Sequence, residues 1–240
     1  MSANPITLDL QVLNQSINTD IESVAPLRGF LPDESYDIAN STITATINAP
    51  EEKVYRLVLA ADVEAGTSAS VRVVSSTNNQ FDVVAKFKKI TKKNASILKP
   101  VLDKAGIALD PSLPEKKQLE ALVMFYKVAD IVIPAGQHVL RISASQKLHP
   151  VGGNPKAYSY TMFAPQLSFA PAGNVRLGAT VVFPLDFDQK AVVATPIVEP
   201  LPNQPTPNQL AYTDQLIGLQ KAFGWAFQSD PKITITYTYN

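Results

Sequence analysis

The residues able to do chemistry in this 240-residue chain are few and badly spaced for it. Its two histidines are His138, just past a turn signal, and His149, ahead of a proline loop. A zinc site draws three or four His, Cys or carboxylate ligands, so each imidazole reads as a lone loop histidine and neither as a catalytic member. The chain has no Cys, which excludes thiolate metal sites, cysteine nucleophiles and disulfide scaffolds. Carboxylates gather as Asp33-Glu34…Asp37 and as Asp186-x-Asp188. Either group could lend oxygens to Ca²⁺, which needs about six to eight of them. Solvated loop acids are the simpler reading. No G-x-S-x-G elbow, P-loop, H-E-x-x-H or EF-hand loop occurs. The expectation is a non-enzymatic protein with no cofactor and no catalytic or metal site.

Two features could make contacts instead. Lys86, Lys88, Lys89, Lys92 and Lys93 fall within KFKKITKK. They form either an anion-facing patch or the solvated edge of a sheet, where lysines block unwanted pairing. The edge reading is preferred, since Phe87, the aromatic within the run, falls on the face opposite Lys86 and Lys88 and none is left to stack on bases. Trp225 is the single tryptophan. It falls in a stretch with helical spacing but off the side shared by Phe223 and Phe227, which makes it the candidate contact aromatic.

The elements that must carry these residues are mostly strands. Lys127–Ser145 reads as two strands folded back across Pro134-Ala135-Gly136, with Leu140, Ile142 and Ala144 alternating on the second arm. Val54–Val63 and Ser68–Ser75 form a similar hairpin-like pair. Alternation also marks Ile6–Leu13, Ser41–Asn48, Phe81–Ile90, Tyr158–Phe163, Gln166–Phe169, Val175–Pro184 and Ala191–Ile197. The final strand, Lys232–Tyr239, sets Ile233, Ile235, Tyr237 and Tyr239 on one face. Asn14–Asp37 is turn-rich and reads as a long loop with room for a short strand.

Helical signals are fewer. Asn94–Gly106 offers a short helix, and Ser112–Glu115 has the pattern of a capping box ahead of a second one that gives way to strand near Leu122. Val198–Pro207, with Pro200, Pro202, Pro205 and Pro207, reads as a stiff polyproline-like strap. After it, Tyr212, Leu216, Leu219, Phe223 and Phe227 recur at helical spacing up to Asp230-Pro231, which predicts an amphipathic helix. With no regular strand–helix alternation, the fold class is an all-β antiparallel sandwich, jelly-roll-like, with short inserted helices and one helix near the C-terminus. It reads as one domain over residues 1–240, with the strap at 198–207 and a helix plus final strand at 208–240.

Composition narrows the function. Lys plus Arg and Asp plus Glu number 21 each, for a formal net charge of zero, and charged residues make up 18%. That argues against binding nucleic acid through phosphates. No positive, apolar leader and no run of about 18 apolar residues suggests a signal peptide or a membrane span. A surface this poor in charge suits contact with other protein copies. The reading is a structural building block of a homo-oligomeric particle such as a virion shell, in the virion or a cytoplasmic assembly, with copies of itself as partners and other structural proteins as further candidates. The alternative is a carbohydrate- or ligand-binding sandwich of a surface or phage-tail protein.

Overall fold

The structure, a computed structural model, describes residues 10–31, 35–60, 66–75, 82–104, 108–163, 168–169, 177–185, 190–200, 206–228 and 231–240. In chain order the elements begin with β1 (Gln11–Glu22), β2 (Asp37–Ala49), β3 (Lys53–Ala60), β4 (Ser68–Ser75), β5 (Asp82–Lys86) and β6 (Lys88–Lys89). Helices α1 (Leu98–Lys104) and α2 (Glu115–Leu122) follow, then β7 (Tyr126–Ile133), β8 (Gly136–Leu148), β9 (Pro150–Val151), β10 (Asn154–Phe163) and β11 (Ser168–Phe169). The chain closes with β12 (Leu177–Val182), β13 (Val193–Pro200), β14 (Gln209–Ile217), β15 (Gln220–Phe227) and β16 (Pro231–Thr238).

These strands make a sandwich-like all-β fold. One layer is a long sheet in the order β14-β15-β12-β1-β2-β8-β4-β5, with β11 beside β1. It is antiparallel except where β1 runs parallel to β11 and β12. The other layer is two smaller sheets, β13-β16-β10-β9 and β3-β7-β6. Period-2 patterning builds the core directly. Across the long sheet Trp225, Ala179, Ile17, Ile43, Ile142, Val71 and Ala85 lie in register on the inner face. They pack with Tyr55, Leu57, Tyr158, Tyr160, Ile233, Ile235 and Tyr237 from the facing sheets. Each Val or Ile buried there is worth roughly 1.5–3 kcal/mol over exposure. A second, smaller cluster puts Leu98, Val101, Leu102 and Leu119 of the helices over Val58, so the helices cover the outer side of β3–β7.

The structure corrects several expectations. The predicted hairpins are not paired: β7 hydrogen-bonds β3 and β6, whereas β8 pairs with β2 and β4. The same holds for β3 and β4. At each connection the chain steps between layers, so that two apolar faces meet instead of two backbone edges. Alternation in sequence is identical for both cases. The stretch read as the loop Asn14–Asp37 contains most of β1, whose inner face includes Gln15 and Thr19; those polar members break the apolar alternation. The predicted amphipathic helix over 208–227 is instead the hairpin β14–β15, closed by Gly218 at φ 62°. Helical and period-2 spacing coincide at every fourth residue, and Gly218 and Gly224 inside the run disfavour a helix by about 1 kcal/mol each. Of the strap, Val198–Pro200 belongs to β13, and residues 201–205 lie outside the described ones. Ser112 does not cap α2: Pro114 holds the N-cap position, and Ser112 donates to the Asp110 carboxylate at 2.6 Å. Of the expected strand Ile6–Leu13, residues 11–13 open β1 and residues 6–9 lie outside the described ones. The closing strand is where alternation put it, central in its sheet as β16.

Candidate functional site

The candidate chemical residues do not converge. His138 is buried on β8, its Nε2 2.9 Å from the Pro134 carbonyl oxygen, where it braces the step from β7 to β8. His149 is exposed beyond the other end of that strand. Among the described residues no group of three or more His, Asp or Glu side chains is placed to hold a metal ion. Asp33, Glu34, Asp186 and Asp188 lie outside the described residues. Trp225 is 5% exposed on the inner face of β15, with Phe223 at 5.7 Å and Tyr212 at 5.8 Å between ring centroids. Core packing claims it, because a strand places residues 223, 225 and 227 on one face where a helix would have split them.

The two lateral sides of the sandwich differ in chemistry. On one side Lys86 lies on β5, Lys88 and Lys89 on β6, and Lys92 and Lys93 in the turn that leads to α1; all five are exposed. β5 and β6 end their respective sheets, so these lysines sit where edge protection is needed. Lys127, opposite Lys89, is buried and donates to the Thr67 carbonyl. Burial first, and then the Lys89 charge, pulls its ammonium below the usual lysine range. The other side ends in β14, where every residue from Gln209 to Ile217 is exposed. Leu210, Tyr212, Leu216 and Ile217 of that strand, and Leu219 in its turn, are large apolar side chains open to solvent. No Lys, Arg or Pro stands on it.

The end of the sandwich holds a site that spacing did not single out. Alternation turns Asp37 inward and Tyr36 outward at the start of β2. The Asp37 carboxylate is fully buried. Its Oδ1 accepts the backbone N–H groups of Val24 and Ala25, both at 3.0 Å, and its Oδ2 accepts the hydroxyls of Tyr237 and Tyr239, both at 2.6 Å. Charge-assisted bonds of this length are the strong kind. Burial, and next the Asp37 charge, raise Tyr237 and Tyr239 well above the usual phenol range, and the same two causes push Tyr158 up to about 12. Asp37 thus ties the C-terminal strand to the connection between β1 and β2.

That connection carries a short 3-10 turn, Pro26–Arg28. Phe30 follows it at φ 55°, a left-handed backbone that costs a non-glycine residue about 1–2 kcal/mol, and its ring packs on Tyr239 at 5.3 Å. Arg28 is thereby held over Tyr36, its guanidinium carbon 4.6 Å from the ring centroid and one N–H donating to the tyrosyl oxygen at 3.0 Å. The Lys147 ammonium lies 4.1 Å from the same centroid, and the His149 ring 6.3 Å from it. Sequence reasoning missed this cluster, since Asp37 was grouped with loop acids. The signal was present in Tyr36-Asp37-Ile38-Ala39, a strand pattern with an acid on its inner face.

Among the described residues, the space left inside the core beside Tyr160 is small. Between the facing edges of β3 and β10 lies a cavity of about 50 Å³, bordered by Leu59, Tyr160 and Met162 above Ile17 and Ile43. The hydroxyls of Thr19, Ser41 and Tyr160 close a triangle at 2.8–2.9 Å beside it. That space suits an ordered water rather than a sugar or a nucleotide. No helix of the described residues is long and apolar enough to cross a membrane.

No protein-family model matches the chain, and no curated protein matches it. Among solved structures, one from Legionella pneumophila, provisionally named a nutrient binding protein, covers 96% of this chain and 68% of its own at a TM-score of 0.48 and 9% identity. The Fcho1 Mu homology domain of Danio rerio with a bound Eps15 peptide covers 100% and 82% at a TM-score of 0.14 and 9% identity. Neither overlap is close enough to bear on what this chain does.

Proposed function

We propose that this chain is a non-enzymatic building block that assembles with copies of itself through the open edge of β14. The observation that carries the reading is the contrast between the two ends of the long sheet. One, β5, carries Lys86 beside Lys88 and Lys89 on the β6 edge, while the other, β14, presents exposed apolar residues and, among the described residues, no further strand and no Lys, Arg or Pro. An unguarded edge is a template for another strand, which natural sheets otherwise blunt. A second copy is the fitting occupant, because the strand complements itself. A two-fold axis at Thr213 sets Tyr212 opposite Asp214 of the copy, and no charge meets its like. Such a contact closes as a dimer. A shell, including a virion coat, would add a second contact, for which the low-charge outer faces are suited. Trp225, one aromatic that the carbohydrate-binding alternative could use, is buried, which lends that alternative less support.

Light scattering of the purified chain over a broad concentration range, followed by negative-stain imaging, tests the proposal. The mass should rise to a dimer or beyond, and Leu216→Lys with Ile217→Lys should return it to a monomer of unchanged circular dichroism. A chain that stays monomeric at every concentration and salt would remove the reading.

A further inference from the structure

We infer that the Arg28–Tyr36–Lys147–His149 cluster is a binding site for a phosphate-type oxyanion, independent of the β14 edge. Arg28 and Lys147 both lie against one tyrosine ring, within roughly 9 Å of each other, about a Debye length at physiological salt. Neither side chain has a carboxylate partner among the described residues. Among the described residues nothing offsets the two charges, which repel, and an anion that reaches both relieves that repulsion. The donors also match the ligand. Arg28 offers a planar fork, Lys147 a point charge and the Tyr36 hydroxyl a further polar contact, while the His149 imidazole stands at the rim.

The site is also built in advance of any ligand. The Asp37 carboxylate pins Val24 and Ala25, which enter the turn carrying Arg28. The β2–β8 ladder, which pairs Ile38 with Lys147 and Asp37 with Leu148, sets Tyr36 beside His149. Little ordering therefore remains for binding to impose, which favours affinity. Beside the cluster Leu27 is 81% exposed and Leu31 54% exposed, on the same connection. Exposed leucines next to cations suit a lipid headgroup as well as a free phosphate, since both present the same oxyanion.

The test titrates the full chain with inorganic phosphate by amide NMR, and in parallel sediments it with vesicles of phosphatidylcholine alone and with added phosphatidylserine. Phosphate should shift the amides of residues 28, 36 and 147. Arg28→Ala and Lys147→Ala should each weaken binding by about tenfold, and Arg28→Lys by less, because it keeps the charge without the fork. Lys88→Ala with Lys89→Ala should leave it unchanged. Sedimentation only with phosphatidylserine, lost in Leu27→Ser/Leu31→Ser while phosphate binding persists, identifies a headgroup; phosphate binding without sedimentation identifies a soluble anion. Either supports the site. Absence of phosphate binding, or binding that survives the Arg28→Ala/Lys147→Ala double variant, overturns it.

Discussion

Replacing Asp37 by Asn separates the charge of the buried node from its shape. In the native protein one carboxylate accepts four hydrogen bonds, two from backbone N–H groups at 3.0 Å and two from tyrosyl hydroxyls at 2.6 Å. Asn keeps the oxygen that serves Val24 and Ala25. Its amide nitrogen, however, cannot accept, so Tyr237 and Tyr239 must turn and accept from it. Bonds to a charged group are worth about 1.5–3 kcal/mol and neutral ones about 0.5–1.5. The substitution therefore forfeits about 1 kcal/mol per bond, offset in part because a neutral amide is cheaper to bury. A net loss of about 2–3 kcal/mol follows, which lowers Tm by about 4–12 °C for a chain of this length. Asp37→Ala, which leaves all four donors without an acceptor, should cost more than 4 kcal/mol, within reach of the whole stability of a domain. Urea unfolding of Asp37→Asn, Tyr237→Phe and the double variant measures the coupling. If Asp37→Asn unfolds within 0.5 kcal/mol of the native chain, or the two effects simply add, the node is not the anchor described above.

The same network sets an alkaline limit. Tyr237, Tyr239 and Tyr158 carry folded-state values above the ordinary 10, so their contribution to stability is complete below about pH 10 and is lost as pH climbs through 12 and beyond. Tm should hold level to about pH 10 and then fall, with these three phenols ionising only as the chain unfolds; a folded chain whose eight tyrosines all titrate near 10 would refute this. Trp225→Ala should cost about 3–5 kcal/mol in urea unfolding, as a cavity does in a core. A loss below about 1 kcal/mol would mean that the ring lies outside the core.

The fold class was legible because burial of one sheet face writes a period of two into the chain. Ile43, Ile142, Val71, Ile233 and Ile235 announced their strands without any knowledge of partners. Where the inner face is polar the signal fails: Gln15 and Thr19 hid β1 inside an apparent loop. Where two periods coincide it misleads, and Tyr212, Leu216 and Phe223 suggested a helix in what is the hairpin β14–β15. The lysine run was legible as an edge segment from its spacing alone, and the structure puts Lys86 on β5 and Lys88 and Lys89 on β6, each the last strand of its sheet.

Composition and patterning thus determined a chain of zero net charge, rich in strands, and the inward residues of most of them. Tertiary structure alone decided which strands pair. Alternation specifies a face, but the hydrogen bonds of a sheet run edge to edge and are indifferent to side-chain type, so the steps from β3 to β4 and from β7 to β8 look like hairpins until the layers are assembled. It also decided that Asp37 meets tyrosines some 200 residues away, and that Arg28 and Lys147 share one ring. Such meetings depend on where the chain returns in space, and neighbouring residues carry no trace of that.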